Sequence, residues 1–238
     1  PTIGDTAGDG LLANLDPYAE AYGWDAWPET QLSPLRMNEE GTRGSGPLYQ
    51  VGLGYSVTGI FMNTALADKL GIDGPPQTWA ELEEDLATAK AGGVQPIMAG
   101  DKDGVVNFAI QAAMNQYADK DEFLSWMFNE PGSSYATEGN IQGAEVIRTW
   151  ADKGYFPSDI NAIDYFTFVS RFSDGEGLFT FNGNWEAANY QKALGDDVAF
   201  FLVPPLEEGG DHVAMGAANS FSVAAGSDDL DTTTYFLN

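Results

Sequence analysis

The sequence predicts an α/β fold, and three observations carry the prediction. Short runs rich in Val, Ile, Phe and Tyr, among them 48–63, 177–182 and 198–205, alternate with longer segments of helical period. Most of the helical segments carry their own start or stop signal, so local chemistry bounds them as well as periodicity. Finally, 43% of the 238 residues are apolar, enough for one large domain or for two lobes with a core each. Interleaved strands and helices bury their apolar faces by layering.

Taken in order, GLLANL at 10–15 is an apolar patch leading into Asp16-Pro17, where proline at the first helical position opens a helix that YAEAYGW continues. NEEGTRGSG, 38–46, reads as a polar, glycine-rich loop. LYQVGLGYSVTGIFMN, 48–63, reads as one strand or two, bent at Gly52, Gly54 and Gly59. A short helix over 64–72 closes at Gly71, and GPP at 74–76 is a rigid break. Thr78-Trp79-Ala80-Glu81 is a capping box, opening a helix that the glycines at 92–93 end. VQPIMAG, 94–100, reads as a short buried strand, and helical patterns follow at 106–118, 120–129, 139–153 and 164–175. Then come a strand at 177–182, a helix at 185–194, strands at 198–205 and 213–225, and a last helix at 228–238. The chain opens at Pro1 without an initiator Met and stops inside a helix, as a piece of a longer protein would.

Composition excludes several classes of function. With 36 acidic residues against 10 basic ones the formal charge is −26, so nucleic acids, anionic membranes and polyphosphates are not expected partners. No run approaches the roughly 18 apolar residues of a membrane span, so no insertion by this segment is expected. The absence of cysteine and the single His212 leave no thiolate nucleophile, disulfide, cysteine-ligated metal or histidine cluster. No cofactor is expected. Asp101-Lys102-Asp103-Gly104 opens like a calcium loop but lacks the later ligands and the closing glutamate, which makes it a turn. Neither a G-x-x-x-x-G-K-[ST] phosphate loop nor a G-x-S-x-G elbow occurs.

Four phrases carry a resemblance: GYSVTGIFMNTALADKLGID, PPQTWAELEEDL, DKGYFPSD with FSDGEGLFTFNGNWE, and VPPLEEGG with MGAANSFSVAAGS. In this order they resemble the extracellular solute-binding proteins of ABC importers, in the carbohydrate-binding, maltose-binding-protein-like family. Met62 and Thr64 depart from the tyrosine and lysine usual around Asn63, and Ala217, Ala218 and Asn219 stand where glycines and an aromatic are common. The resemblance implies a two-lobe, periplasmic-binding-protein-like α/β fold with a hinge cleft and an incomplete first lobe. Residues 1–57 and 214–238 would form the partial first lobe, and 58–213 the second. It also implies a non-enzyme that captures a neutral sugar or oligosaccharide in the cleft, closes on it, and presents it to the membrane subunits of an ABC permease. Its place would be the periplasm or the cell exterior, with a lipid anchor compatible with a longer N-terminus. Two rival readings stay open: a glycoside hydrolase, which needs two carboxylates roughly 5–10 Å apart, and a sugar-sensing partner of a receptor.

Candidate ligand contacts follow from both lines. Trp185 stands just past a strand's C-terminal end, where open α/β sheets bind ligands, with Gly183 to turn the backbone and Asn184 to cap the helix. It reads as a stacking face for a sugar or as a core ring under the turn. Glu186 reads as an acceptor of sugar hydroxyls or as a first-turn acid that complements a helix dipole. Relatives place polar contacts on the crossing segments that here carry Tyr55 and Ser56, and Asn219 and Ser220. The same resemblance points to Asn107 and Phe108 at a helix start. Asp164, with Tyr165 beside it, precedes a helix that it could equally cap. Trp79 and Trp150 lie inside helical patterns and read as core.

Overall fold

The computed structural model describes residues 3–238 and divides them into two compact units. Unit one comprises the described residues up to Tyr55, with Lys120–Tyr135 and Ala217–Asn238; unit two comprises Ser56–Asp119 and Ala136–Gly216. Residues 120–135, which the sequence reading assigns to the second lobe, group with unit one, where the Arg43 N–H donates to Phe128 O at 3.3 Å.

The chain begins with helices α1 (Ile3–Gly8), α2 (Asp16–Tyr22) and α3 (Glu29–Leu32), strands β1 (Arg36–Met37), β2 (Arg43–Leu48) and β3 (Val51–Asn63), and helices α4 (Thr64–Leu70) and α5 (Trp79–Ala91). Helices α6 (Asn107–Tyr117), α7 (Lys120–Met127), α8 (Glu138–Asp152) and α9 (Tyr165–Ser173) follow. The chain closes with β4 (Phe179–Gly183), α10 (Ala187–Leu194), β5 (Val198–Phe201), β6 (Gly216–Phe221) and α11 (Leu230–Leu237).

Unit one has its own core of Leu15, Trp24, Leu32, Leu35, Leu48, Val51, Val223 and Leu237. Its polar ties close over that core: Trp24 Nε1 donates to Asn238 Oδ1 at 3.1 Å, and Arg36 pairs with Asp16 at 2.8 Å. The stretch 38–46 is not a loop throughout. β2 begins at Arg43 and pairs antiparallel with β1, because Asn38 completes the turn locally. Its amide oxygen accepts from the Glu40 and Thr42 N–H groups at 3.1 and 2.8 Å, an Asx-type closure of the turn.

Unit two is built on antiparallel strands in the order β4-β3-β5. Ile60 of β3 faces Phe181 on one side and Phe201 on the other, and every residue of β4 is buried. β3 is a single strand of 13 residues rather than two. VQPIMAG forms no strand: Pro96 has no N–H for a ladder, so the segment meets β4 only through the bridge Ile97↔Phe179. The 213–225 run likewise contracts to β6, flanked by the single bridges Val203↔Val213 and Leu12↔Ala224. The caps read at Thr78 and Gly71 form. Glu81 N–H donates to Thr78 Oγ1 at 3.2 Å, and Gly71 ends α4 with φ 73°. Trp79 and Trp150 are buried and stacked, with ring centroids 5.4 Å apart.

Helices α6 and α8 touch backbone to backbone. A Cβ on Gly143 would collide with the Met114 and Ala113 main chain, and one on Gly139 with the Tyr117 carbonyl. Ala109, Ala112 and Ala113 on α6 are buried, so the approach rests on small residues from both helices.

In α5 the Asp85 carboxyl is pushed up to about 6, chiefly by burial and then by Glu81 and Glu84. Its folded pKa lies above the unfolded value, so the folded state holds the extra proton between about pH 4 and 6, and stability falls as pH rises through that window. Asp85→Asn is therefore expected to raise stability at pH 7 by about 1 kcal/mol, discounted for solvent screening of a half-exposed group, and to flatten the pH profile below 6. Urea unfolding at pH 4.5 and 7 checks it; equal gains at both pH values would contradict it.

Candidate binding site

The candidate residues divide between the units. Ser56, Asn107, Phe108, Asp164, Trp185 and Glu186 belong to unit two; Tyr55, Asn219 and Ser220 belong to unit one.

In unit two the site begins where β4 ends. Gly183 has φ −90° and ψ 157°, extended backbone open to any residue, so it is not there to turn the chain. It is there for space. A Cβ at this position would lie inside the indole ring of Trp185, which folds back over the Gly183 main chain. Asn184 does not cap the helix either; its Oδ1 accepts from Val57 N–H at 3.2 Å, tying the turn to the adjacent strand.

Trp185 is 45% exposed, and three neighbours fix its ring. Gly183 lies beneath it, Phe108 meets it edge-on at 5.8 Å between centroids, and its Nε1 donates to the Tyr165 hydroxyl at 2.7 Å. Tyr165 in turn donates to Glu186 Oε1 at 2.7 Å, and the other Glu186 oxygen accepts from Asn189 Nδ2 at 2.6 Å. Glu186 is only 7% exposed, and both of its oxygens have partners within unit two. Burial, followed by the Glu186 hydrogen bond, raises the Tyr165 pKa and keeps the phenol protonated. Beneath them Asn182 accepts from Gly183 N–H at 2.8 Å and donates to the buried Tyr190 hydroxyl at 3.1 Å.

Asp164 caps α9. It accepts from Thr167 N–H at 2.9 Å and pairs with Lys102 at 3.5 Å, and the Thr167 hydrogen bonds hold its carboxyl below the usual range. The 101–104 segment is a turn closed by Gly104 N–H on Asp101 O, and Asp103 Oδ2 accepts the Tyr165 N–H at 3.1 Å. Asn107 is exposed at the start of α6, and Ser56 is half-buried in β3.

In unit one, Tyr55 is exposed and lines a cavity of about 300 Å³ with Trp27, Gln31, Leu35 and Ala218. Ser220 Oγ accepts from Gln50 Nε2 at 2.8 Å, and Asn219 lies against Gly54.

The structure thus sets Phe108 directly against Trp185 and joins Trp185 to Glu186 through the Tyr165 hydroxyl. Sequence reasoning singles out Tyr165 only with Asp164 at a helix start and misses its place as the hub. Tyr165 lies 20 residues from Trp185 and no spacing rule joins an isolated tyrosine to a strand end. The visible signal is its place directly after the cap Asp164, which fixes where a first-turn side chain emerges.

Residues 2–238 match the family described as bacterial extracellular solute-binding protein. The chain belongs to that family. A Brucella abortus protein named as a candidate binding protein is 26% identical over 151 residues, which are 63% of this chain and 34% of its own length. A chitin oligosaccharide binding protein superposes with a TM-score of 0.79 at 22% identity, covering 97% of this chain and 56% of that one. A sugar transporter from Bacillus licheniformis, solved with stachyose, superposes with a TM-score of 0.68 at 22% identity, over 96% of this chain and 58% of that one. The fold is therefore the periplasmic-binding-protein-like α/β fold, and the chain spans little more than half the length of these solved neighbours. Among the described residues, no helix is long and apolar enough to cross a membrane.

Proposed function

We propose that the chain captures a neutral sugar or oligosaccharide outside the cytoplasm for an ABC-type importer, and that the Trp185 face is where a sugar ring stacks. The observation that carries this reading is the posture of the indole, 45% exposed yet fixed by Gly183, Phe108 and Tyr165. A core tryptophan would be covered, and an ordinary exposed one would be loose. A fixed open π face suits the C–H face of a sugar, whose hydroxyls turn to amides and hydroxyls such as those of Asn107 and Ser56. The −26 charge favours an uncharged solute over an anionic one. The reading is non-catalytic: Glu186, the acid beside the platform, is buried and hydrogen-bonded by Tyr165 and Asn189 as a support for the ring. The solved neighbours named for chitin oligosaccharide and stachyose support a sugar as the solute class.

The test is a thermal-shift screen with raffinose, stachyose, maltotriose and chitobiose. A sugar at about 100 times its Kd stabilises by about 2.7 kcal/mol, which is about 5–10 °C for a chain of this size. One of the four is expected to give such a shift, without release of reducing ends on long incubation. No shift with any of them, or steady hydrolysis of the one that binds, would overturn the reading.

A further inference from the structure

The hydrogen-bonded chain behind the indole has a direction fixed by chemistry. An indole N–H can only donate, and a carboxylate can only accept. The Tyr165 hydroxyl between them therefore receives from Trp185 at 2.7 Å and gives its single proton onward. Two acceptors are within reach, Glu186 Oε1 at 2.7 Å and Asn182 Oδ1 at 3.4 Å. The charged and closer one takes the proton, since charge-assisted O–H bonds are the shorter and stronger kind. Asn182 Oδ1 is in any case accepting from Gly183 N–H. Glu186 is itself held by Asn189 at 2.6 Å.

The tyrosine is fixed at both ends as well. Its N–H donates to Asp103, and its ring meets Phe168 and Phe166 edge-on, with centroids 5.2 and 5.5 Å away. The hydroxyl is thus a rigid post. We infer that Tyr165, oriented by Glu186, is the positioning residue that sets the plane of the Trp185 indole for its ligand. The inference rests on the sugar-stacking reading of Trp185 for its effect on affinity, though not for its effect on the indole. It also assigns Glu186 to the support of the platform, not to the sugar. With Nε1 already occupied, the indole offers a π face and no donor. It then selects the C–H face of a sugar over ligands that need a hydrogen bond from the ring.

The experiment uses the whole chain. Tyr165→Phe keeps the ring and removes the post. In the ligand-free protein, the emission component of Trp185, obtained in each background as the signal lost on adding Trp185→Phe, is expected to show faster acrylamide quenching and lower anisotropy in the Tyr165→Phe background than in the wild type. Affinity is measured calorimetrically for whichever of raffinose, stachyose, maltotriose and chitobiose gives the largest thermal shift. It is expected to fall about 3- to 10-fold, the usual consequence of immobilising one free side chain on binding. In a Trp185→Phe background the same change is expected to do nothing further, because phenylalanine has no N–H to hold.

Equal losses in both backgrounds would mean that Tyr165 touches the sugar directly, and would overturn the positioning role. Unchanged quenching and affinity would overturn it too. Should Tyr165→Phe fail to fold, Glu186→Gln, which weakens the acceptor, must loosen the indole and lower affinity about 2- to 3-fold, or the inference falls. If Trp185→Phe and Trp185→Ala both bind with wild-type affinity, the stacking reading fails instead. If none of the four sugars shifts the melting temperature, that reading fails as well. In either case the quenching measurement still decides whether Tyr165 holds the ring.

Discussion

Trp185→Ala is expected to lower sugar affinity about 30-fold while costing the ligand-free protein less than about 1.5 kcal/mol. A truncated aromatic anchor typically costs about 2 kcal/mol or more of binding. Removing a covered tryptophan would instead cost about 3–5 kcal/mol of folding stability. The two readings separate because the ring is 45% exposed and its removal strands nothing. Tyr165 still donates to Glu186, and Glu186 still accepts from Asn189. Calorimetric titration paired with urea unfolding measures both quantities. Trp185→Phe should recover part of the affinity, since a smaller ring keeps a face. A large loss of stability with unchanged binding would return Trp185 to the core.

The second large effect lies away from the platform. Gly143→Ala is expected to destabilise unit two by about 2 kcal/mol or more, lowering the melting temperature by about 4–8 °C. In an exposed helix the same change would help by up to about 1 kcal/mol, because alanine is the better helix former. Here the added methyl meets the main chain of Met114 and Ala113, which cannot rotate aside as a side chain could. α6 and α8 must move apart, and α6 carries Phe108 at its start against Trp185. The change should therefore also weaken sugar binding modestly. Gly226→Ala, which meets nothing within 4 Å, is the control and should stay within about 0.5 kcal/mol of wild type. A neutral or stabilising Gly143→Ala would show that the helices are not locked by this contact.

Much of unit two is legible in the sequence because its signals are local. Thr78 and Asp164 each cap the helix that follows them, and a cap is read within four residues. The failures are nonlocal or depend on one missing group. Pro96 turns an apolar run into a bridge, and Asn38 turns a glycine-rich loop into a hairpin by bonding two residues ahead and four ahead. At the site, the strand end and the aromatic next to it can be read from GLFTFNGNWE. The reason for Gly183 cannot, because it is the shadow of a ring two residues later and not a backbone angle. Nor can the link from Trp185 to Tyr165, which depends on how α9 packs beside β4.

The most direct test of the sugar platform is quenching of Trp185 itself, read as the difference between wild type and Trp185→Phe. Acrylamide quenching is followed with and without saturating amounts of the sugar that gives the largest thermal shift. A sugar ring stacked on the indole must cover its open face, so the Trp185 component should become markedly less accessible while the remaining tryptophans change little. A sugar that stabilises the protein yet leaves the Trp185 component as accessible as before would place the binding site elsewhere.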